Sequence, residues 1–549
     1  MTLPTPLEAF SKKFLRGIFA TYPTRASNLG LHGYDGLVSD YSPSAIARRV
    51  SDLKAGREEL AAIVPAAPHA QTWLDYELMR LAIERELFEL ETLRNWARNP
   101  MGYIEACDVS NYLKRNYAPL PVRLKAISAH LGRVPDVLAQ ARANLVLPMP
   151  RTFAQIGLEV TRGTVTFLRG DLPAQLASVQ DDVLMARFSG AQSQAIAALE
   201  AFAAWLHDEV LPNANERYAI GADAFQQMLR FGEAVDLPLN KLLAIGEADL
   251  ARNKAELETV ARKISPALSP AAVMYDMAHH HPSAGELIPA AQKVMETLRL
   301  FIIERDLVSI PADVRPTIAE TPSFLRWAFA MLDAPGAFEK VSTDAFYYVT
   351  PPEKNWPEAQ AEEWLTLFNY DMLDTTSAHE GWPGHHLHWL HYRNSPTDVL
   401  KALDSYSSWE GWAHYVEQMM VDEGYRDGDA HLRLAQLAEA LLRNVRYVCA
   451  IGLHTQSMSV DEATRRFMND AYLEELPSRK EAERGTFDPG YLLYTLGKLM
   501  MLKLREDYKR EQGNAFSLKR FHDTVLSFGA PPIPLVRTMM LRNDDGQIL

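Results

Sequence analysis

The feature that most constrains the fold is an apolar periodicity of about 3.6 residues that recurs along most of the chain. In residues 72–98, charged residues separate Leu74, Leu78, Leu81 and Phe88, so these four side chains fall on one face of an amphipathic helix. The same pattern predicts further helices over residues 191–210, 239–261, 290–304, 359–375, 399–421, 431–454, 460–473 and 491–510. The chain is therefore expected to be mainly helical.

One segment departs from the helical pattern and is typical of a β-strand. Residues 345–350 run Ala-Phe-Tyr-Tyr-Val-Thr and are followed by Pro351 and Pro352. Aromatic and β-branched residues favour strands, and proline ends them. We expect a mainly α fold with a small sheet, and divide it into a helical N-terminal half, residues 1–310, and a second half, residues 311–549, within one integrated structural unit.

Charge and cysteine content exclude several classes of partner. Aspartate and glutamate number 70 against 56 lysines and arginines, a net charge of −14, so no basic footprint for nucleic acid or an acidic membrane is present. The two cysteines are too few for a Cys-rich zinc site and favour a reducing compartment. No stretch approaches the roughly 18 apolar residues of a membrane span, and no signal peptide is apparent. We expect a cytoplasmic protein without membrane partners.

Metal-ligating residues are concentrated in residues 379–386, which read His-Glu-Gly-Trp-Pro-Gly-His-His. In zinc hydrolases, neutral imidazoles bind the metal and a glutamate beside the first ligand takes a proton from water. His379 and Glu380 fit those roles. The familiar spacing H-E-x-x-H would place the second ligand at position 383, which here is a proline and cannot ligate.

Two histidines can replace that missing ligand. On a regular helix His386 returns to the face of His379, but about 10.5 Å further along the axis. His385 reaches the metal only if the turn widens to absorb two extra residues. Gly381 and the pair Pro383–Gly384 make a regular helix unexpected here, so we favour His385 and keep His386 as the alternative.

A third protein ligand is expected from residues 408–417, about 25 residues after His385. Glu410 and Glu417 are seven residues apart and share a helix face. One of them could bind the metal while the other accepts the far N–H of a ligand histidine. His414, between them, is expected to be structural.

These motifs resemble a known family. The runs HEGWPGHHLH and EGWAHYVE are similar to those of the bacterial domain-of-unknown-function 885 family, which is grouped with the zincin peptidases. Further similar segments are residues 24–32, 450–455 and 489–498, so the resemblance covers nearly the whole chain. It implies a large helical zincin-like body with a small antiparallel sheet beside a deep active-site cleft, one wall of which comes from the N-terminal half.

A deeper resemblance, to the gluzincin peptidases, implies roles for individual residues. Their metal segment H-E-x-G-H is similar to this one with two residues inserted after His379 and Glu380, which supports His385 as second ligand. Their third ligand, a glutamate some 25 residues further on, corresponds to Glu410. Their Y-x-x-Y segment is similar to residues 491–494.

The same resemblance implies how a substrate is held. Tyr494 would stabilise the oxyanion of the transition state, and Tyr491 would line the substrate site. Residues 345–350 would form the sheet edge along which an extended peptide lies.

The function expected from these residues is zinc-dependent hydrolysis of amide bonds in short peptides, of carboxypeptidase or oligopeptidase type. One Zn²⁺ would be bound, although two histidines and a glutamate also accept other divalent ions. The alternatives are hydrolysis of a non-peptide amide or acyl substrate, a non-catalytic metal-binding or ligand-binding protein, and a purely structural scaffold. Nothing in the sequence indicates the oligomeric state.

Overall fold

The computed structural model describes residues 5–326 and 329–549, and contacts divide the chain into two units. The first unit contains residues 1–67, 75–220 and 335–343, and the second contains residues 68–74, 221–334 and 344–549. All the predicted metal-site residues belong to the second unit. Both units are mainly helical, as predicted.

The first unit is built around a long central helix, α12. This helix packs on α8, α9 and α10, and buries Phe188, Leu199 and Phe202 in a core shared with Leu124 and Ile127 of α8. Apolar residues at helical spacing form this core, as the sequence predicts. The helices from the first residue described up to residue 205 are α1 (Pro6–Thr21), α2 (Pro23–Asn28), α3 (Pro43–Ala61), α4 (Gln71–Leu87), α5 (Asn95–Arg98), α6 (Met101–Glu105), α7 (Asn111–Lys114), α8 (Leu120–Leu131), α9 (Val134–Asn144), α10 (Arg151–Arg169), α11 (Asp171–Leu176) and α12 (Asp182–Trp205).

The second unit contains the longer series of helices. They are α13 (Ala222–Glu233), α14 (Leu239–Ile264), α15 (Pro270–Ala278), α16 (Leu287–Glu304), α17 (Glu358–Leu365), α18 (Tyr370–Glu380), α19 (His385–Tyr392), α20 (Asp398–Ala402), α21 (Tyr406–Asp422), α22 (Ala430–Thr455), α23 (Val460–Asp470), α24 (Glu475–Phe487), α25 (Leu493–Gln512), α26 (Leu518–Ser527) and α27 (Ile533–Met540). The predicted helix 72–98 is interrupted at Arg94, which has a left-handed backbone with φ of 52°, before α5 begins. The predicted helices 359–375 and 399–421 are each broken in two. Asn369 and Ser405 cap new helix starts there, because each side chain accepts a backbone N–H of the following turn.

Helices α21 and α25 approach each other at two glycines. A Cβ on Gly497 would lie 2.7 Å from the Cα of Gly411 and 2.3 Å from the carbonyl oxygen of Ser407. Only glycine at these positions allows so close a crossing. The crossing brings α21, which carries Glu410 and Glu417, directly against α25, which carries Tyr494.

The sheet is small and mixed. Its strands are β1 (Thr317–Glu320), β2 (Ala330–Asp333) and β3 (Phe346–Val349), in the order β1-β3-β2. The predicted strand at residues 345–350 is confirmed as β3. The expected antiparallel sheet is wrong in one pairing, because β3 runs parallel to β1 and antiparallel to β2.

The position of β3 also differs from the expectation. It lies between β1 and β2, so residues 345–350 are not a sheet edge. Tyr347, Tyr348 and Val349 are buried, and the most apolar strand takes the central place. Of the outer strands, Ala-Met-Leu-Asp is half-buried for most of its length, and Thr-Ile-Ala-Glu is half-buried at its two central residues and exposed at both ends.

None of the helices formed by residues 5–326 and 329–549 combines the length and apolar character needed to span a bilayer.

Two buried histidines in the second unit predict acid sensitivity. Burial lowers the pKa of His388 to about 3 and that of His522 to about 4, and both rings donate an N–H to backbone carbonyls. The unfolded chain takes up these protons near pH 6.5, whereas the folded chain keeps both rings neutral. The free energy of unfolding should therefore fall as pH drops from about 6.5 to 4, by up to about 1.4 kcal/mol per pH unit for each ring.

Urea unfolding midpoints at pH 7 and pH 5 measure this dependence. His522→Phe should show a shallower pH dependence than the wild type, whatever its stability at pH 7. His207→Gln, at an exposed histidine, should keep the wild-type dependence. An unchanged dependence in His522→Phe would contradict the assignment of the acid sensitivity to this ring.

Candidate metal centre

The histidine segment forms two helices joined by a short connection. Helix α18 ends at Glu380 and α19 begins at His385, so residues 381–384 lie outside both helices. The N–H of Gly384 donates to the carbonyl of Ala378, with N and O 2.9 Å apart. Trp412 of α21 donates its indole N–H to the carbonyl of Pro383, also at 2.9 Å. The connection is thus folded back on the end of α18 and fixed by α21.

This folded connection brings His379 and His385 together. Their ring centroids are 4.7 Å apart and the ring planes are nearly perpendicular, at 83°. Gly384 makes this possible, because a Cβ there would lie 1.8 Å from the carbonyl oxygen of His379 and 2.4 Å from that of Ala378. The widened turn that favoured His385 from the sequence therefore takes the form of a helix break.

Glu410 completes a set of three donor atoms. Its Oε2 lies 3.4 Å from Nε2 of His379 and 3.5 Å from Nε2 of His385. Ligands about 2.0–2.1 Å from a tetrahedral zinc are about 3.4 Å from one another, so these separations fit a zinc site. The Oε2 atom is buried and has no hydrogen-bond partner among the described residues. An unpaired buried carboxylate oxygen facing two imidazole nitrogens fits a bound cation.

Charge in the cluster favours an ionised Glu410. Burial raises the pKa of this carboxyl, but the two imidazoles outweigh burial and hold the pKa well below its ordinary range. Glu380 is also close: one ligand atom each from His379, Glu380 and His385 lie within 4.8 Å of one another. The four residues together provide two nitrogen and two carboxylate donors.

Glu417 supports the cluster from behind His379. Its Oε1 accepts the Nδ1–H of His379 at 2.6 Å, and its Oε2 accepts the Nδ1–H of His414 at 3.1 Å. Nη2 of Arg443 lies 3.3 Å from the same carboxylate. Burial would raise the pKa of Glu417, but Arg443 and the two histidines hold it well below the ordinary value. Glu410 therefore faces both Nε2 atoms, and Glu417 orients the first imidazole.

The bond to Glu417 fixes the state of His379. With Nδ1 protonated toward Glu417, Nε2 faces Glu410 and His385, which is the orientation of a metal-ligating imidazole. Burial alone would lower the pKa of His379, but the nearby carboxylates of Glu410 and Glu417 raise it to about 10, so a cation that binds Nε2 displaces a proton from it. His386 is turned away: its Nε2–H donates to the carbonyl of Val314 at 2.9 Å, and burial lowers its pKa to about 4.

Removing the charge of Glu417 should weaken metal binding. Glu417→Gln keeps the shape of the side chain but replaces a carboxylate acceptor that orients His379, and such changes cost about 10–100-fold in metal affinity. Zinc affinity is measured by competition with a chromophoric chelator. Asp422→Asn, at the exposed end of the same helix, is the matched control and should bind zinc as the wild type does. Equal affinities in the two variants would show that Glu417 does not act on the metal.

Glu380 is held by the sheet. Its Oε2 accepts the backbone N–H of Leu332 at 2.8 Å. The backbone N–H of Thr350, just after β3, donates to the carbonyl of Phe329, just before β2. In an antiparallel pair, hydrogen-bonded and non-hydrogen-bonded residue pairs alternate, so Leu332, three residues after Phe329, directs its N–H away from β3. The carboxylate is therefore tied to the outer edge of β2.

The two tyrosines of the Y-x-x-Y segment have different surroundings. Tyr494 is half-buried, with the guanidinium groups of Arg443 and Arg446 5.7 and 5.4 Å from its ring centroid. Arg443 also contacts Glu417, so a single arginine side chain connects the ring of Tyr494 with the carboxylate that binds His379. Tyr491 is fully buried, and its hydroxyl packs against Gly485, where a Cβ would be 2.2 Å from it. The structure does not bring Tyr491 to the cluster.

Sequence reasoning missed two contributors. Arg443 is a buried cation on α22, and its place in the apolar run Leu-Leu-Arg-Asn-Val could have indicated a charge partner inside the protein. Leu332 contributes only its backbone N–H, for which the sequence carries no signal.

Comparisons with known proteins agree with this architecture. A family model described as "Bacterial protein of unknown function (DUF885)" matches residues 23–540. A "putative lipoprotein of unknown function" from Shewanella oneidensis is 22% identical, with a TM-score of 0.83, and the match covers 98% of this chain and 100% of that chain. A "putative lipoprotein" from Colwellia psychrerythraea is 16% identical, with a TM-score of 0.79, covering 98% and 99%. At these identities the likeness shows the shared fold alone. None of the curated proteins matches the chain.

Proposed function

The chain belongs to the bacterial DUF885 family, and from this premise we propose that it is a zinc-dependent hydrolase of peptide bonds in short peptides. The observation that carries the proposal is the convergence of Glu410 Oε2 on the Nε2 atoms of His379 and His385, at 3.4 and 3.5 Å. Glu380 stands beside them with its carboxylate fixed. A catalytic zinc has three protein ligands and keeps its fourth position open, and a structural zinc needs no base beside it, whereas here Glu380 is held next to the three donors by the Leu332 N–H.

His379, His385 and Glu410 would hold the ion. Bound zinc would supply Lewis acidity toward the carbonyl and would make a water acidic enough to react near neutral pH. Glu380 takes a proton from the attacking water and passes it to the leaving amine. Tyr494 donates its hydroxyl hydrogen bond to the oxyanion that develops on the carbonyl. Glu417 and Arg443 hold His379 in the tautomer that keeps Nε2 free for the ion.

The geometry of the sheet supports an extended substrate. The edge strand beside the base is β2, in place of residues 345–350, which are central. Glu380 binds the outward N–H of Leu332, so a peptide paired along β2 would place its backbone next to the base. Main-chain pairing recognises peptides irrespective of their side chains, which favours short unfolded substrates over folded proteins.

The cytoplasmic location stays a prediction. Both cysteines, Cys107 and Cys449, are buried and unpaired with each other, which supports a reducing compartment. The lipoprotein description belongs to the two structural neighbours.

Metal-dependent turnover of a peptide library tests the proposal. The purified chain should contain or take up one zinc, lose peptide hydrolysis when a chelator removes it, and recover when zinc is added back. Esters and non-peptide amides are assayed in parallel. Faster hydrolysis of either class than of peptides would show that the enzyme acts on that bond and not on peptide bonds. Glu410→Ala should lose both zinc and turnover, whereas Asp422→Asn on the same helix should keep both. A chain that takes up no zinc, or hydrolyses peptides equally well without it, would refute the proposal.

A further inference from the structure

Residues 27–32 of the first unit belong to a sequence motif that the metal cluster does not use. His32, at its end, bridges two carboxylates: Nδ1 lies 3.2 Å from Oδ2 of Asp35, and Nε2 lies 2.8 Å from Oε2 of Glu339. Its ring stacks on Tyr117, with centroids 3.5 Å apart and planes within 4°. Both ring nitrogens thus face carboxylate oxygens, the arrangement of a doubly protonated imidazolium.

The charge state follows from the same contacts. Burial would lower the pKa of His32, but the hydrogen bonds to Asp35 and Glu339 outweigh it and raise the pKa above its ordinary value. The pKa values of Asp35 and Glu339 are lowered, because burial is outweighed in both by hydrogen bonds that include those to His32. All three shifts favour the charged forms of these groups. We call this trio the His32 latch.

The latch holds residues 335–343, the middle of the connection between β2 and β3. Glu339 also accepts the N–H of Val341 at 2.7 Å, and Phe338 donates its N–H to the carbonyl of Leu29 at 2.9 Å. The backbones are in close contact, since a Cβ on Gly336 would lie 2.3 Å from the Cα of Leu29. By its contacts the segment belongs to the first unit, although the strands on either side of it belong to the second.

Covalent connection carries this restraint to the metal cluster. Only Ala334 separates the last residue of β2, Asp333, from the held segment. One residue before Asp333 is Leu332, whose N–H binds Glu380. A change in the held segment is therefore transmitted over two residues to the group that fixes the proposed base.

We propose that the His32 latch is a positioning device for the reaction: by fixing residues 335–343 it holds β2 in the place where the Leu332 N–H orients Glu380. The inference rests on the proposed function only in giving Glu380 the role of base. His32, Asp35 and Glu339 are positioning residues, since they act on Glu380 through the backbone of β2. The same arrangement accounts for a histidine with one buried and one half-buried acidic partner far from the metal motifs in the sequence.

Amide hydrogen exchange on the zinc-loaded full chain tests the latch without any substrate. In His32→Leu and Glu339→Gln, exchange of the amides of residues 330–333 should become about tenfold faster, with zinc content unchanged. The matched control is His207→Leu, at an exposed histidine of the same unit paired with its neighbour Asp208, which should exchange as the wild type does. Faster exchange confined to residues 335–343, with β2 unchanged, would overturn the inference. If His32→Leu does not fold, Glu339→Gln decides the matter alone.

Turnover separates the two proposals. In the latch variants kcat should fall about tenfold with KM nearly unchanged, because the base is misplaced while the substrate edge and the metal ligands remain. An equal loss in kcat and in the folded fraction would indicate a merely structural role. A wild-type chain without peptidase activity would refute the proposed function, yet the exchange result would still stand as a test of the link between His32 and β2.

Discussion

Glu380→Gln should reduce peptide hydrolysis by about 10³-fold while zinc binds as in the wild type. Glutamine is isosteric with glutamate, and its amide oxygen can still accept the Leu332 N–H that Glu380 accepts at 2.8 Å. The proposed ligands His379, His385 and Glu410 are unchanged. The variant loses the negative charge of Glu380 and, with it, the ability to take a proton from water. The measurement is kcat and KM on the best peptide of the library, with zinc content determined on the same sample.

The control for this variant is Glu358→Gln, at an exposed glutamate of α17. It should have wild-type kcat, KM and zinc content. Because KM in a site of this kind depends on the metal and the substrate edge, the loss in Glu380→Gln should fall mainly on kcat. A zinc-loaded Glu380→Gln whose activity stays within tenfold of the wild type would assign the proton transfer to another group.

The parts of the fold that local patterns determine could be predicted from the sequence. Helical periodicity predicted several of the long helices, among them α12, α14 and α22, but not α3 or α10, and the aromatic run at residues 345–350 predicted β3. Breaks within predicted helices were missed, because Asn369 and Ser405 act as caps only once the chain turns there. Strands β1 and β2 were missed, because a segment of only four residues forms a strand only when a partner is present.

Strand order could not be predicted from one strand. Whether β3 is central or an edge depends on where β1 and β2 pair, which is decided by tertiary packing. The strand proposed to pair with the substrate is therefore β2, in place of residues 345–350. The same limit applies to Tyr491, whose spacing to Tyr494 matched the family motif although its hydroxyl is buried against Gly485.

The proposed metal ligands were more accessible to sequence reasoning, because the chemistry of metal binding restricts the choice of residues. Pro383 cannot ligate, so the second ligand had to come from beyond it. The spacing of Glu410 and Glu417 did not show which of them faces the metal position. In the structure Glu410 lies against both imidazoles, and Glu417 accepts a hydrogen bond from Nδ1 of His379. Spacing alone could not separate them, because residues seven apart share a helix face.

Gly384→Ala should lower zinc affinity by about 100-fold or more without unfolding the protein. The new Cβ would lie 1.8 Å from the carbonyl oxygen of His379 and 2.4 Å from that of Ala378. Both atoms are backbone, so no side chain can move aside, and the connection between α18 and α19 must shift. That shift moves His385 away from His379 and Glu410, and breaks the separations near 3.4 Å that a tetrahedral ion needs. Chelator competition measures the affinity.

Stability measured with chelator present distinguishes a lost site from a lost fold. The strain of one extra methyl group should cost the metal-free protein about 1–3 kcal/mol, which a well-packed core of this size tolerates. Gly285→Ala, at a glycine whose Cβ would meet no atom within 4 Å, should change neither stability nor affinity. If Gly384→Ala bound zinc within threefold of the wild type, the close approach at Gly384 would not be what joins the two histidines. Some other feature of the chain would then have to bring His385 close to His379.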